Sequence, residues 1–330
     1  MNWVILLRAY SRSIGGVISL TPRTSRYSLI AGGAWYLVRC RLLRRLLVTI
    51  AQLAPYIANP SKNVERISSI LERAAGEGSD LVVFPELYLH GYYSKDLIYR
   101  LAEPPGGENI RAVARAVEDT GVSVVVGFVE RDTRYEVLYN SAALIRPDGS
   151  VSVYRKRHLP DFSVFDEKRY FRRWEGELEL WGVKGWPIGP MICFDIFFPE
   201  LARAYAYMGA KALVVISAAP DFSHPLFRVL TRARAIENTV YLVWVNMVGT
   251  FDGVGFAGGS CVVDPLGEVV YEAPTISEDV RTVPMDPGTL RLARERRPVL
   301  RELSRADVEA LIRGYRLDGP PPRSPPRSSR

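Results

Sequence analysis

The chain has 330 residues, 48% of them hydrophobic and 11% aromatic, enough for one large core or two of average size. A net charge of +7 would suit nucleic acid or a membrane surface, but residues 1–47 hold eight Arg with no acid, residues 319–330 hold three more, and the remainder carries 32 basic against 36 acidic residues. A mildly acidic body without a basic stripe excludes nucleic acid and membranes as its partners, and three cysteines without regular spacing exclude a disulfide framework and a zinc knuckle.

Residues 1–45 read as an Arg-rich N-terminal extension, disordered or not part of the fold, and neither of their apolar stretches reaches the roughly 20 residues of a membrane span. LLVTIAQLA (46–54) is an apolar strand, and Pro60 with Ser61 opens a helix in which Val64, Ile67, Ile70 and Leu71 recur at helical spacing. DLVVFPE (80–86) is a second buried strand, ended by Pro85. GENIRAVARAVEDTG is an amphipathic helix, VSVVVGFVE a strand, and YNSAALIRPDGSVSVYRKRHL a hairpin turning at Pro147, Asp148 and Gly149. WPIGPMIC is followed by a helix over 197–209, the strand ALVVIS, a helix over 223–238, the strand VYLVWVNMV, and two more strands around Asp264 to Gly267. Mixed strands and hairpins with helices between them predict an α/β layered sandwich, one domain over 46–300. Residues 301–330 read as a C-terminal helix and a Pro/Arg-rich disordered tail.

Three strand ends carry residues that a plain core does not need. Cys193 follows the buried run IGPMIC and precedes a turn and the helix opening Pro199-Glu200, a place where unpaired N–H groups can activate a thiol. By position alone it reads equally as a small buried thiol, because free cysteine is usually buried. Glu86 follows an apolar strand and Pro85, where a carboxylate is costly to bury unless paired. Arg155 and Arg157 share one face of SVYRKRH, which leaves Lys156 on the other; if that face is the core, its ammonium requires a carboxylate.

Glu, Lys and Cys in this order, within FPELYLHGY, YRKRHLPDFSVFDEKRYF and ICFDIFFPELARAYAYMGA, resemble the nitrilase superfamily of carbon-nitrogen hydrolases over about residues 46–300. RARAIENTVYLVWVN and the stretch from Gly258 to Gly267 support the likeness. The resemblance implies a four-layer αββα sandwich with mixed sheets. It implies Glu86 as general base, Lys156 as cationic stabiliser, Cys193 as nucleophile and Glu167 as a second carboxylate of the catalytic set. It also implies a homodimer or higher homo-oligomer.

The expected activity is that of a cytoplasmic amidase needing no cofactor and no metal. It cleaves a small linear amide or carbamoyl compound through a thioester and releases ammonia. Lys156 and the Phe194 backbone N–H would face the oxyanion, and Tyr92, Phe194 and Phe222 are the candidate substrate-binding residues. Phe194-Asp195 after the cysteine leans towards amides over nitriles; a nitrilase, or an inactive binding protein of the same fold, is the alternative. VFDEKRYF also resembles the glutaminase domain of glutamine-dependent NAD synthetase, but the residues after 300 leave no room for a synthetase domain, so a free-standing enzyme is expected.

Other signals are set aside. Gly253, Gly255 and Gly258 match GxGxxG, but strand and turn follow rather than a helix. Asp195 reads as a cap of the turn, Cys261 as core, and His158 as structural. His90, His158 and His224 lack metal-ligand spacing.

Overall fold

The computed structural model describes residues 18–19, 27–31, 34–38 and 43–318. The chain divides into two compact units, residues 1–44 and 45–330. In the first, strands β1 (Ile18–Ser19), β2 (Tyr27–Ala31) and β3 (Ala34–Val38) form an antiparallel sheet. The rest of what was expected of residues 1–45, and the tail 319–330, lie outside the described residues.

The second unit is built on two six-stranded mixed sheets. β4 (Leu46–Gln52), β5 (Leu81–Val83), β6 (Ser123–Asp132), β7 (Val137–Ile145), β8 (Val151–Arg155) and the late strand β17 (Asp279–Met285) lie in the order β17-β4-β5-β6-β7-β8. β9 (Trp181–Val183), β10 (Trp186–Ile192), β11 (Ala212–Ser217), β12 (Tyr241–Asn246), β15 (Cys261–Val263) and β16 (Val269–Glu272) follow the order β16-β15-β12-β11-β10-β9. β4 packs on β12 and β7 on β10, face to face. β13 (Val248–Phe251) and β14 (Val254–Ala257) make a separate hairpin that contains the GxGxxG match, with no helix after it.

Helices cover the outer faces. α1 (Pro60–Gly76) and α2 (Glu108–Thr120) pack together over the first sheet, burying Ile67, Leu71, Ile110, Val113 and Val117 against Val82, Val124 and Val126. Each such side chain contributes roughly 1.5–3 kcal/mol by leaving water. α1 opens as expected, with Pro60 in its first turn and the Asn59 side chain accepting from Lys62 N. α2 stops at Gly121, whose left-handed backbone lets its N–H reach Val117 O. α3 (Pro199–Tyr207) and α4 (His224–Asn238) cover β10 and β12 of the second sheet. α5 (Pro287–Arg296) and α6 (Arg305–Asp318) follow, and the result is a four-layer αββα sandwich. No helix among the described residues is long and apolar enough to cross a membrane.

Topology brings the functional strand ends to one place. β4, β5 and β6 are parallel, as are β10, β11 and β12. β8 lies two antiparallel steps from β6, so it ends at the same edge as β5. The second strand is shorter than DLVVFPE suggested: Phe84 N still donates to Val125 O, but Pro85 has no N–H and the ladder stops there. The chain then crosses β6 at Gly127, where a Cβ would lie 2.3 Å from Leu87 N and 2.8 Å from Glu86 C. Only glycine lets the segment carrying Glu86 come this close.

Candidate active site

The segment after β5 aims Glu86 inward. It is anchored by Leu89 N to Gly127 O at 3.0 Å, and by Asn63 of α1, whose side chain donates to Leu89 O at 3.1 Å. Glu86 is fully buried. Its Oε1 accepts from Lys156 Nζ at 2.6 Å and Asn140 Nδ2 at 2.7 Å, and its Oε2 accepts from the backbone N–H of Ala218 at 2.8 Å. Ala218, just past β11, belongs to the opposite sheet. Its position is fixed by Asn246 at the end of β12, whose side chain accepts from Ala219 N at 2.8 Å and donates to Ala219 O at 3.1 Å.

Lys156, first residue past β8, turns to the core, as the alternation with Arg155 and Arg157 implied, and is 1% exposed. Arg155, on the other side, pairs with Glu130 and lies 4.3 Å and 4.7 Å from the Tyr139 and Trp174 ring centroids. Lys156 Nζ also donates to Glu167 Oε1 at 2.7 Å, and that oxygen accepts from Tyr92 OH, also at 2.7 Å. Burial acts to lower the Lys156 ammonium, but the Glu167 and Glu86 charges outweigh it and hold the group above its ordinary value. Glu167 is pushed up to about 7, first by burial and then by Glu86, against the pull of Lys156. One ammonium thus serves two buried carboxylates, an arrangement that holds one negative charge when both are ionised and none when Glu167 carries a proton.

Cys193 follows β10 and is 5% exposed. Its φ of +46° is a left-handed backbone that non-glycine residues rarely adopt, and it opens a 3₁₀ turn (Cys193–Phe197) before α3 begins at Pro199. The sequence suggested a helix N-terminus lowering the thiol; the structure does the opposite. Burial, then the Glu86 and Glu167 charges, raise the Cys193 thiol well above its ordinary value, with Lys156 and the Ala218 N–H pulling the other way. A single 3₁₀ turn supplies too little dipole to win. The resting group is a neutral thiol beside the Glu86 and Glu167 carboxylates.

Asp195 locks this turn. Its Oδ2 accepts from Ile192 N at 3.0 Å and Tyr154 OH at 2.8 Å, and its Oδ1 contacts His158 N at 3.0 Å and His158 Nδ1 at 2.8 Å. The turn after β10 is thereby tied to the segment that carries Lys156. The His158 ring stacks on Phe198 at 3.5 Å between centroids, and Arg234 of α4 donates to Ile196 O at 2.9 Å.

Glu86, Lys156, Glu167 and Tyr92 form one hydrogen-bonded cluster, and Cys193 faces their charges. Phe194 follows Cys193 and packs edge-on to Phe162 at 5.4 Å. Its N–H lies in the first turn of the 3₁₀ segment, where amides lack a partner within the turn. Phe222 is 57% exposed in the turn before α4 and is not joined to the cluster. Asn140 was missed, although a lone Asn within the apolar run of β7 was a readable signal; the Ala218 backbone amide leaves none. Cys261 is buried and pushed up to about 12 by that burial, in keeping with a core thiol. Among the described residues no His, Cys, Asp and Glu group could hold a metal ion. A cavity of about 750 Å³ lies elsewhere, between Tyr56, Lys62, Arg66 and Glu278.

Residues 47–295 match the family described as Carbon-nitrogen hydrolase. An (R)-stereoselective amidase from a Pseudomonas species is 37% identical over 254 residues, 75% of this chain and 87% of that protein. A nitrilase from Pyrococcus abyssi is 34% identical over 76% of this chain and 92% of its own. A glutamine-dependent NAD(+) synthetase from Thermotoga maritima is 36% identical over 74% of this chain, but the match spans only 42% of the synthetase. Among solved structures, a CN-hydrolase superfamily protein from Xanthomonas campestris superposes with a TM-score of 0.72 at 26% identity, covering 79% of this chain and 98% of that one.

Proposed function

The chain belongs to the carbon-nitrogen hydrolase family, a hydrolase of C–N bonds, and from that premise we propose a thiol amidohydrolase acting on a small linear amide or carbamoyl compound. The observation that carries this reading is the buried Glu86–Lys156–Glu167 cluster set against a neutral thiol. Glu86 takes the thiol proton as Cys193 Sγ bonds to the carbonyl carbon. The oxyanion meets the Lys156 hydrogen not committed to a carboxylate, together with the Phe194 N–H, and each such donor is typically worth about 3 kcal/mol. Glu86 returns the proton to the nitrogen as the C–N bond breaks, and ammonia leaves. Glu86 then deprotonates the water that attacks the thioester, and the acid departs as the thiol is restored.

Phe194-Asp195 and the amidase relative support amides over nitriles, while the nitrilase relative keeps a small nitrile as the second reading. Ammonia release from amides, nitriles, carbamoyl amines and glutamine, compared between the full chain and Cys193→Ala, tests both. Equal background from the two proteins on every substrate sinks the enzyme reading; ammonia from nitriles alone favours the second. The homo-oligomer implied by the resemblance belongs to the same proposal, supported by exposed Leu226 and Val229 on α4. A monomer in sedimentation at micromolar concentration counts against it.

A further inference from the structure

Asn140 contacts every charged member of the cluster. It sits in β7 opposite Val129, 1% exposed, and its backbone O accepts from Lys156 N at 2.8 Å. One hydrogen of its Nδ2 goes to Glu86 Oε1 at 2.7 Å, the other towards Glu167 Oε2 at 3.4 Å. The reverse amide orientation would set its oxygen against two carboxylates, so the donor side faces them. Its Oδ1 is buried without a partner among the described residues, a cost in desolvation accepted for the sake of the two donors.

The lone pairs of Glu86 can be counted. Each carboxylate oxygen offers two acceptor sites. On Oε1 both are taken, by Lys156 Nζ at 2.6 Å and Asn140 Nδ2 at 2.7 Å. On Oε2 one is taken among the described residues, by Ala218 N at 2.8 Å. The Ala218 N–H that donates to Oε2 is also the backbone amide that pulls the Cys193 thiol down, which sets Oε2 on the thiol's side of the carboxylate. We propose that Asn140 is a positioning residue that closes Oε1 to protons and confines the proton carried by Glu86 to Oε2, facing Cys193. Lys156 alone would leave a site on Oε1 free, and a proton lodged there points away from the sulfur. The inference rests on the proposed general-base role of Glu86.

The test uses Asn140→Leu, which matches the side chain in size but donates nothing, and reads the pH dependence of Cys193 alkylation by iodoacetamide in the full chain, with the modified peptide identified by mass spectrometry. Removing a donor from a carboxylate favours its protonated form. Without the Asn140 donor, Oε1 can hold the proton on the side away from the sulfur, and the pH profile of Cys193 alkylation departs from that of the wild type. The groups facing Glu86 are Lys156 after β8, Glu167 from the turn beyond it, Cys193 after β10 and Tyr92 on its own segment, and all are retained in the variant. Alkylation near neutral pH falls about tenfold, and on any amide the wild type hydrolyses kcat falls about tenfold to a hundredfold with KM nearly unchanged.

Asn140→Ala, whose freed space admits a water able to donate to Oε1, gives a smaller shift in the same direction and serves if the leucine variant does not fold. An alkylation profile unmoved in both variants overturns the proposal. So does a loss that only lowers the fraction of labelled molecules, which marks a structural role. If the wild type hydrolyses no tested amide or nitrile yet the profile moves, the proposed substrate class fails and the role of Asn140 stands.

Discussion

Replacing Lys156 by Met keeps an unbranched stem in the buried slot and removes only the ammonium. Two carboxylates, bound to that nitrogen at 2.6 Å and 2.7 Å, are then buried side by side with no cation between them. Breaking a buried ion pair by removing one partner costs about 3–5 kcal/mol. That cost is greatest where both carboxylates are ionised. Glu167 is already pushed up to about 7 with Lys156 present, against an ordinary 4.5, and without the ammonium it rises further. A carboxyl raised in the folded state contributes stability that is full below its unfolded value and lost as pH rises through the folded one. Lys156→Met therefore loses most stability near pH 8 and least near pH 5, at about 1.4 kcal/mol for each unit of added shift. Urea denaturation followed by tryptophan fluorescence at pH 5, 6.5 and 8 reads the difference. Lys156→Met combined with Glu167→Gln, which removes one of the stranded charges, should recover about half of the loss at pH 8. A loss below about 1 kcal/mol at pH 8, or one equal at all three pH values, refutes this account of the cluster.

Glu167→Gln in the wild-type background should flatten the fall in stability between pH 4.5 and 7, a change of up to about 3 kcal/mol; identical slopes for the two proteins count against the raised carboxyl. Gly127→Ala should cost about 1–3 kcal/mol by overpacking and at least tenfold in kcat, because the new Cβ displaces the Glu86 backbone; melting and turnover on any hydrolysed amide check it, and unchanged turnover contradicts the close crossing. Asp195→Ala leaves the Ile192 and His158 N–H groups and the Tyr154 hydroxyl unsatisfied and should cost at least about 3 kcal/mol in urea denaturation; a loss under about 1 kcal/mol would show that the lock is not under load.

The layered α/β fold and most elements were legible because period and punctuation agreed locally: Pro60 opens α1, Gly121 ends α2, and Pro85 cuts β5 short. Glu86, Lys156 and Cys193 stood out because each put chemistry at the end of an apolar strand. What escaped was set by the second sheet rather than by neighbours in the chain. β9 is only three residues long, and β13 with β14 is so rich in glycine that its alternation is faint. The Ala218 amide matters only because two sheets meet, and nothing about an alanine in sequence announces that. The thiol was misjudged in the same way: its turn was local and readable, whereas its burial beside Glu86 was not.

Glu86 issues from the first sheet and is held by Ala218 of the second; Asp195 issues from the second and is held by Tyr154 and His158 of the first. These reciprocal bonds join residues 132, 41 and 37 positions apart, so none can form until distant parts of the chain have docked. Recovery of activity after dilution from denaturant should therefore trail the return of secondary structure, and any intermediate with one finished sheet will be inert as well as sticky. Such a chain does not bring Cys193 and Glu86 together until its folding is complete.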